Sequence, residues 1–462
     1  MNLIHSPLKH SANSRICKPY RQFYDELLSN KQSENAARFL QEQLDHATQL
    51  EHDLPADMED IADWAEQNVV ATGIKYREYL SSRKAGARRR YFSNKSHALH
   101  FLKHVAPTKL VDGSWLYGAL RHWKETRFQN FIRIYLEELG DGVASKNHVA
   151  LYKRLLAENH CEWDELHDDL FLQGAIQLAF SHQCDDFLPE LIGFNLGYEQ
   201  LPLHLLITAY ELNELGIDPY YFTLHITIDN LDSGHAKKAL HSVETLRPHG
   251  ISAKSFYQRI INGYQLNSVG KSTTDIIRAF DIEAEIVKLF QHKATIGQYM
   301  HSDRCKISGH TVNEWLSSPE KIHNFLIELE KSGWIKRYQD PTQSRFWQLL
   351  QGERSLMFGV FTPFEQQLIF DWIAGDGYTG PRVPTSAKSP TRKRAMDAMD
   401  NQSEIIDIDD YRLSQRLPTS KSLEAKMNEL IDLMSPAVHA TPIGLHATQL
   451  FKSFYDIHSC GF

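Results

Sequence analysis

The sequence predicts a mainly α-helical protein built around a multi-helical bundle. Between residues 115 and 265 one amphipathic stretch follows another, with apolar residues every three or four positions. The segments between these stretches are short, which is typical of bundles with antiparallel neighbouring helices. Alternation of apolar and polar residues, the pattern of strands, is rare there. Together these features favour helices packed on helices over a sheet-based fold.

Residues 1–84 predict an N-terminal helical extension, and the bundle itself is expected at residues 85–280. Two stretches of the extension repeat the three-to-four spacing: KPYRQFYDELLSNKQSENAARFLQEQL and MEDIADWAEQNVVATGIKYREYL. Pro107 and Gly113 interrupt the start of the bundle and predict an irregular turn between two helices.

Residues 281–375 predict a small satellite α+β module. EKIHNFLIELEKSGWIKRYQDPTQSRFWQLL resembles a helix followed by two short strands across a turn at Asp340-Pro341, so a winged-helix-like shape is one interpretation. FTPFEQQLIFDWIAGDG predicts a helix that starts at Pro363 and stops at a glycine.

The remaining chain divides into a linker and a last helix. Residues 376–421 are rich in Pro, Ser, Thr and charged residues, and we expect a largely disordered linker there. Residues 422–462 contain SLEAKMNELIDLM, which predicts a C-terminal helix that docks back onto the body.

Composition excludes several classes of protein. The net charge of −8 argues against a general nucleic-acid partner, since such proteins carry excess Lys and Arg. No apolar run is long enough to span a bilayer, and the N-terminal residues have no apolar signal segment, so we expect a cytoplasmic protein without a membrane partner. The five cysteines lack CxxC spacing, which argues against a thiolate zinc site. Histidine, in contrast, is abundant at 24 residues.

Three segments place carboxylates and imidazoles in apolar surroundings. Charged groups are rarely buried unless they are paired or bound to metal, because desolvation is costly. Oxygen and nitrogen ligands projecting inward from facing helices suit a pair of iron or manganese ions. The candidates are Glu138 and His148 in the first segment, Glu199 in the second, and His225, Asp229, Asp232 and His235 in the third.

Spacing alone leaves the choice among the third-segment residues open. His225 and Asp229 are four residues apart and share a helix face, with Asp232 near it. In a regular helix, with 100° per residue, His235 would point roughly 80° away from His225. A distortion near Gly234, such as a π-bulge, would turn it inward. FTLHITID also alternates well enough for a strand, and the following helix could begin as late as Gly234.

The other segments leave similar alternatives. Glu138 and His148 are ten residues apart, and Gly140-Asp141-Gly142 between them predicts an interrupted helix. Two surface residues would explain that pair as well. Glu199 could be a solvated residue just before Pro202.

Four stretches together resemble one known family: LKHVAPTKLVDGSWLYG, EELGDGVASKNH, LGYEQLPLHLL and YYFTLHITIDNLDSGHAKKA. The chain is similar to the bacterial iron-containing redox enzymes of the haem-oxygenase-like di-iron oxidase superfamily, over roughly residues 85–375. The resemblance implies a haem-oxygenase-like bundle in which metal ligands run Glu, His, Glu, His, Asp and His along three helices.

Carried over position by position, the resemblance implies a ligand set of Glu138, His148, Glu199, His225, Asp229 and His235. Many members place the last His three residues after the Asp, where this chain has Asp232, so Asp232 stays an alternative sixth ligand. No catalytic residue beyond the metal ligands and no other cofactor-binding residue is predicted. Asp112 either shapes a substrate pocket or stabilises a turn.

The resemblance implies a non-haem di-iron oxidoreductase that uses O2 as co-substrate. We expect two Fe ions, cycling between Fe2+ and Fe3+, and a small organic substrate, amino-acid-like or fatty-acid-like. An external electron donor and a homodimer are both compatible with this expectation. The alternative is a non-catalytic helical interaction protein with a winged-helix-like binding module and a degenerate metal site.

Overall fold

Helices make up most of the computed structural model. It describes residues 19–29, 35–163, 165–351, 355–376, 378, 413, 417 and 422–459. Within these residues the only sheet is one short two-stranded ribbon, so the predicted mainly α fold is confirmed. The predicted linker at 376–421 lies almost entirely outside the described residues.

The described residues of the N-terminal part form three helices: α1 (Tyr20–Leu28), α2 (Ala36–Ala47) and α3 (Ile61–Lys84). In α1 the apolar side chains of Phe23, Tyr24 and Leu27 fall on one face and are buried. The Asp168 carboxylate accepts hydrogen bonds of 3.0 and 2.9 Å from the first two backbone N–H groups of α1. A carboxylate there satisfies orphan donors and complements the helix dipole.

The central part is a continuous succession of helices. These are α4 (Lys95–His104), α5 (Ala106–Lys109), α6 (Gln129–Glu138), α7 (His148–Glu158), α8 (Leu172–His182), α9 (Leu188–Tyr198), α10 (Leu203–Glu214), α11 (Tyr220–Ile228), α12 (His235–Thr245), α13 (Ala253–Gln265) and α14 (Thr273–Arg278). Short 3₁₀ helices occupy Met58–Asp60, Ser114–His122, Thr126–Phe128, Gly140–Gly142, Ala144–Lys146, Asp168–Phe171 and Leu266–Ser268.

Helices α9 and α13 are in especially close contact, because glycines face the partner backbone. A Cβ on Gly193 would overlap the carbonyl of Ile260, and a Cβ on Gly263 would overlap the carbonyl of Glu190. Any larger residue at either position would push the two helices apart. This contact fixes α9, whose C-terminal end leads directly to Glu199.

Two large apolar clusters meet in the central part. The first includes buried residues of α1, α2, α6, α8, α9 and α13, and the second includes buried residues of α4, α7, α10, α11 and α14. Burying a Leu or Phe side chain stabilises the fold by roughly 1.5–3 kcal/mol, so both clusters hold their helices firmly. The candidate metal ligands lie at the ends of helices that belong to these two clusters.

Residues 282–374 have their own apolar cluster. The elements are α15 (Ile282–Gly297), β1 (Lys306–Ile307), β2 (His310–Thr311), α16 (Val312–Leu316), α17 (Ile322–Lys331), α18 (Arg345–Gln351) and α19 (Pro363–Ala374), with 3₁₀ helices at Pro319–Lys321 and Pro341–Gln343. The strands are antiparallel, pairing Lys306 with Thr311 and Ile307 with His310.

The predicted strands on either side of Asp340-Pro341 are wrong. Asp340 accepts a 3.0 Å hydrogen bond from the backbone of Thr342 and starts a 3₁₀ turn. Phe346, Trp347 and Leu350 then bury one face of helix α18, because their spacing suits a helix better than a strand. Among the described residues no strand follows α17, so the wing of a winged helix is absent there.

Residues 422–459 of the C-terminal part contain two helices rather than the single predicted one: α20 (Leu423–Leu433) and α21 (Pro442–Ser459). Met427, Leu430, Phe451 and Tyr455 belong to the first central cluster, so both helices pack on the body. Among the described residues, no helix combines the length and apolarity needed to cross a bilayer.

Candidate metal centre

The six residues predicted as ligands come together at the ends of helices. Glu138 is the last residue of α6, His148 the first of α7, and Glu199 follows the last residue of α9. His225 lies in α11, Asp229 directly follows it, and His235 is the first residue of α12. All six are at most 9% exposed.

The first group of donors consists of Asp112, Glu138, His148 and His225. One atom from each can be chosen so that all four lie within 4.8 Å of one another. His225 Nε2 is 3.2 Å from Asp112 Oδ2, and His148 Nδ1 is in close contact with Glu138 Oε2. The two imidazole rings are 4.3 Å apart between centroids.

The second group consists of Glu138, Glu199 and His235. His235 Nδ1 lies 3.3 Å from Glu138 Oε1 and 3.1 Å from Glu199 Oε2. Asp229 Oδ1 is 3.4 Å from the same nitrogen. Glu138 therefore belongs to both groups, with one carboxylate oxygen toward each. A carboxylate shared in this way is suited to bridging two cations.

A sharp turn brings Glu138 and His148 together. Gly140, Asp141 and Gly142 have φ angles of 64°, 53° and 82°, so the chain reverses through left-handed conformations. The predicted helix interruption is therefore present. Because of it, two residues ten positions apart face the same point.

A second turn brings His235 inward. Asn230 Oδ1 accepts hydrogen bonds of 3.0, 3.0 and 3.1 Å from the backbone N–H groups of Asp232, Ser233 and Gly234. Helix α11 thus ends at Ile228, and α12 begins at His235. The chain breaks between two helices instead of forming a π-bulge, and the strand alternative for FTLHITID is wrong.

The two candidates for the sixth ligand differ in burial. His235 is fully buried in the second group, whereas Asp232 is exposed. Asp112, predicted as either a pocket residue or a turn residue, is 3% exposed and lies within the first group. Tyr221 donates its hydroxyl hydrogen to Asp112 Oδ2, and Lys109 Nζ lies 3.9 Å from Oδ1.

Two histidines are oriented by partners outside the cluster. His225 Nδ1 donates a 2.8 Å hydrogen bond to the carbonyl of Tyr221, which leaves Nε2 facing the first group. His235 Nε2 lies 2.9 Å from Glu137 Oε2, which leaves Nδ1 facing the second group. Lys238 in turn holds Glu137 at 2.6 Å. Partners of this kind fix the ring orientation of metal-binding histidines.

The crowding of buried charged groups shifts the pKa values of several of these residues. Burial raises the pKa of Glu199 to about 7, against the opposing effect of His235. Burial alone would lower the pKa of His225, but its hydrogen bond to Asp112 and the Asp112 charge raise it to about 9. Burial alone would raise the pKa of Glu138, but His148 and His235 hold it well below the usual range.

The donors have unsatisfied atoms that a cation would satisfy. Within the described part of the chain, the buried atoms without a well-formed hydrogen bond include Glu138 Oε2, both ring nitrogens of His148, Glu199 Oε1 and Asp229 Oδ1. Leaving such atoms unpaired is costly. Carboxylate oxygens and imidazole nitrogens are ligands of non-haem iron, so the residues fit iron ions.

Sequence reasoning missed three residues around this centre. Glu137 contacts His235, Asn147 caps the helix that starts at His148, and His439 contacts Asn147. Glu137 and Asn147 are sequence neighbours of predicted ligands, and that proximity was the available signal. His439 is distant in sequence from every predicted ligand, and no signal in the sequence indicated it.

Comparison with known proteins gives one match. The sequence model of a family described as iron-containing redox enzyme matches residues 99–252, about a third of the chain. The matched range contains all six predicted ligands and Asp112. It supports iron as the metal and confirms the resemblance found from the sequence. No curated protein and no solved structure matched the chain.

Proposed function

We propose that this chain is a non-haem iron oxidoreductase that holds two iron ions and uses dioxygen on a small organic substrate. The observation that carries the proposal is the pair of buried donor groups sharing Glu138. The family match supports an iron-containing redox enzyme over residues 99–252. An amino-acid-like or fatty-acid-like substrate, an external electron donor and a homodimer belong to the same proposal.

Each ion has its own set of candidate ligands. Asp112, His148 and His225 face the first position, and Glu199 and His235 face the second. Asp229 lies beside His235 and joins the second set. Glu138 has one oxygen toward each set and would be shared between the two positions. When bound, a pair of ferrous ions supplies electrons for the reduction of dioxygen.

The protein's own groups prepare and enclose this centre. Because the pKa of Glu199 is raised to about 7, its carboxyl group is partly protonated at neutral pH in the metal-free protein. Metal binding requires the carboxylate, so uptake at this position releases a proton. The buried ring of Tyr221 packs against His225 and is itself packed against Tyr152, with 4.7 Å between the ring centroids in each pair, so that this side of His225 is closed to water.

The burial of the cluster supports an enzyme over the alternative interaction protein. Buried charged groups are costly even when they are paired, so a chain that no longer bound metal would gain by replacing them with apolar residues. Here, Asp112, Glu138, Glu199 and Asp229 are each at most 4% exposed.

Anaerobic loading with Fe2+ followed by removal of excess metal tests the proposal. We expect about two iron ions per chain and faster oxygen consumption than free Fe2+ supports under the same conditions. Asp232→Ala is a matched control, since Asp232 is an exposed carboxylate of the same segment. Fewer than one iron per chain in the wild-type protein would favour the interaction protein instead.

A further inference from the structure

Helices α20 and α21 hold the turn that joins the first two candidate ligands. Gln449 Nε2 donates a 2.9 Å hydrogen bond to the carbonyl of Gly142, and Lys452 Nζ lies 2.9 Å from Asp141 Oδ2. Tyr135 in α6 donates its hydroxyl hydrogen to the carbonyl of Met434 at 2.6 Å. These contacts come from a segment well outside the range that the family match covers.

The backbones approach so closely that only glycine fits at the centre of this turn. A Cβ on Gly142 would lie in contact with the carbonyl of Leu445 and with Gln449, closer than real atoms allow. Gly142 also has a φ of 82°, a conformation that glycine adopts without strain. The turn is therefore shaped to receive α21.

Asn147 connects the turn to both helices that carry ligands. Its Oδ1 accepts a 2.9 Å hydrogen bond from the backbone of Ala150, which caps α7 directly before His148. Its Nδ2 donates to the carbonyl of Leu139, 3.2 Å away and one residue after Glu138. The same amide donates to His439 Nδ1 at 3.1 Å. Every polar atom of this fully buried side chain is thus used.

His439 is the outer partner of this amide. It lies between α20 and α21 and is only 2% exposed. An amide N–H₂ can only donate, so Nδ1 of His439 must accept, and the ring is neutral with its proton on Nε2. Burial, with a smaller effect of Lys153, lowers the pKa of His439 to about 3, in agreement with a neutral ring.

We propose that His439 is a positioning residue for the metal centre, acting through Asn147 to set the separation and orientation of Glu138 and His148. The inference rests on the proposed function, because it assigns the two residues to a metal site. Its consequence is that a residue nearly 300 positions away from His148 controls metal affinity. The role is distinct from filling space, since it depends on one acceptor atom.

The test compares two variants of the full-length protein in titrations with Co2+, whose visible absorption reports ligand geometry. His439→Phe keeps a ring of similar size and removes the acceptor. His439→Asn places an amide oxygen near the position of Nδ1 and restores it. Replacing an outer partner typically costs 10–100-fold in metal affinity, so we expect a loss of about that size for His439→Phe and near wild-type affinity for His439→Asn.

Controls separate positioning from stability. Glu424→Gln removes the charge of an exposed ion pair between α20 and Lys124, outside the hydrogen bonds of Asn147 and of the Gly142 turn, and we expect unchanged affinity. Urea unfolding without metal shows which variants fold. If His439→Phe does not fold, Asn147→Ser serves in its place, because serine keeps the helix cap but lacks the amide donor, and we expect a similar loss.

The outcomes are distinct. Equal affinity and equal spectra for wild type and His439→Phe, or for wild type and Asn147→Ser where His439→Phe does not fold, would overturn the positioning role while leaving the proposed function standing. Equal losses for His439→Phe and His439→Asn would also overturn it, since the acceptor would then be irrelevant. A wild-type protein that takes up no Co2+ and no Fe2+ would overturn both.

Discussion

Glu138→Gln tests whether one carboxylate serves two ions. The substitution keeps the size of the side chain and removes the charge, and Glu138 is the member common to both donor groups. We expect the variant to lose both ions, because each position then lacks its shared anionic ligand. His225→Ala and Glu199→Gln each remove a donor from a single group, and we expect about one ion per chain in both.

The size of the expected stability change follows from the linkage between metal binding and folding. A ligand at about 100 times its Kd stabilises the folded state by about 2.7 kcal/mol per site. Two occupied sites therefore add about 5 kcal/mol to the free energy of unfolding of the wild-type protein, and one site adds about half of that. For Glu138→Gln we expect almost no metal-dependent gain.

The assay is urea unfolding with and without Fe2+ under anaerobic conditions, together with iron analysis of the desalted protein. Comparing each variant with its own metal-free form removes the direct effect of the substitution on stability. Retention of two ions by Glu138→Gln, or behaviour indistinguishable from that of His225→Ala, would refute the shared carboxylate.

Three further predictions concern other parts of the molecule. His235→Ala should lower the iron content by about one ion per chain while Asp232→Ala leaves it unchanged, and the reverse result would make Asp232 the ligand. Glu211→Ala should lower the free energy of unfolding by about 3 kcal/mol or more in urea denaturation, because the fully buried carboxylate accepts hydrogen bonds from the hydroxyl of Tyr79 and from three backbone N–H groups. His100→Leu should make the stability of the protein less sensitive to acid. Burial, followed by nearby His104, lowers the pKa of His100 from 6.5 to about 2. The free energy of unfolding of the wild-type protein therefore falls by about 1.4 kcal/mol per pH unit as the pH drops below 6.5. Parallel pH profiles of unfolding for His100→Leu and wild type would contradict this.

Local patterns predicted helices and their ends well. Pro363 starts α19 and Gly375 ends it with a φ of 58°, as expected from residues that act within one turn. The same local logic failed for WIKRYQDPTQSRFW, where aromatic residues suit strands and helices alike. Packing of Phe346 and Trp347 against α15 and α19 decides in favour of a helix there, and that information is not local.

Charged residues in apolar segments indicated the candidate ligands, and the family resemblance selected six of them. The convergence of Glu138 with His148 was partly predictable as well, from the Gly-Asp-Gly break. The contribution of Asp112 was not, since its place beside His225 depends on how the turn after α5 packs against α11. The link from Asn147 to His439 was likewise out of reach, because a single sequence carries no distance between residues 292 positions apart. The assignment of the candidate residues as metal ligands stays a prediction.

The contact between α21 and the Gly142 turn affects the order in which parts of the centre form during synthesis of the chain. Residues 99–252 emerge from the ribosome long before residues 423–459, and at bacterial or eukaryotic rates of 5–20 residues per second the gap between Asn147 and His439 is roughly 15–60 s. Throughout that interval the nascent bundle has both ligand-bearing helices but not the segment that locks their separation. If the centre binds iron as proposed, iron delivered to the growing chain meets a looser site than iron delivered to the finished one, and maturation of the centre is then coupled to the completion of translation.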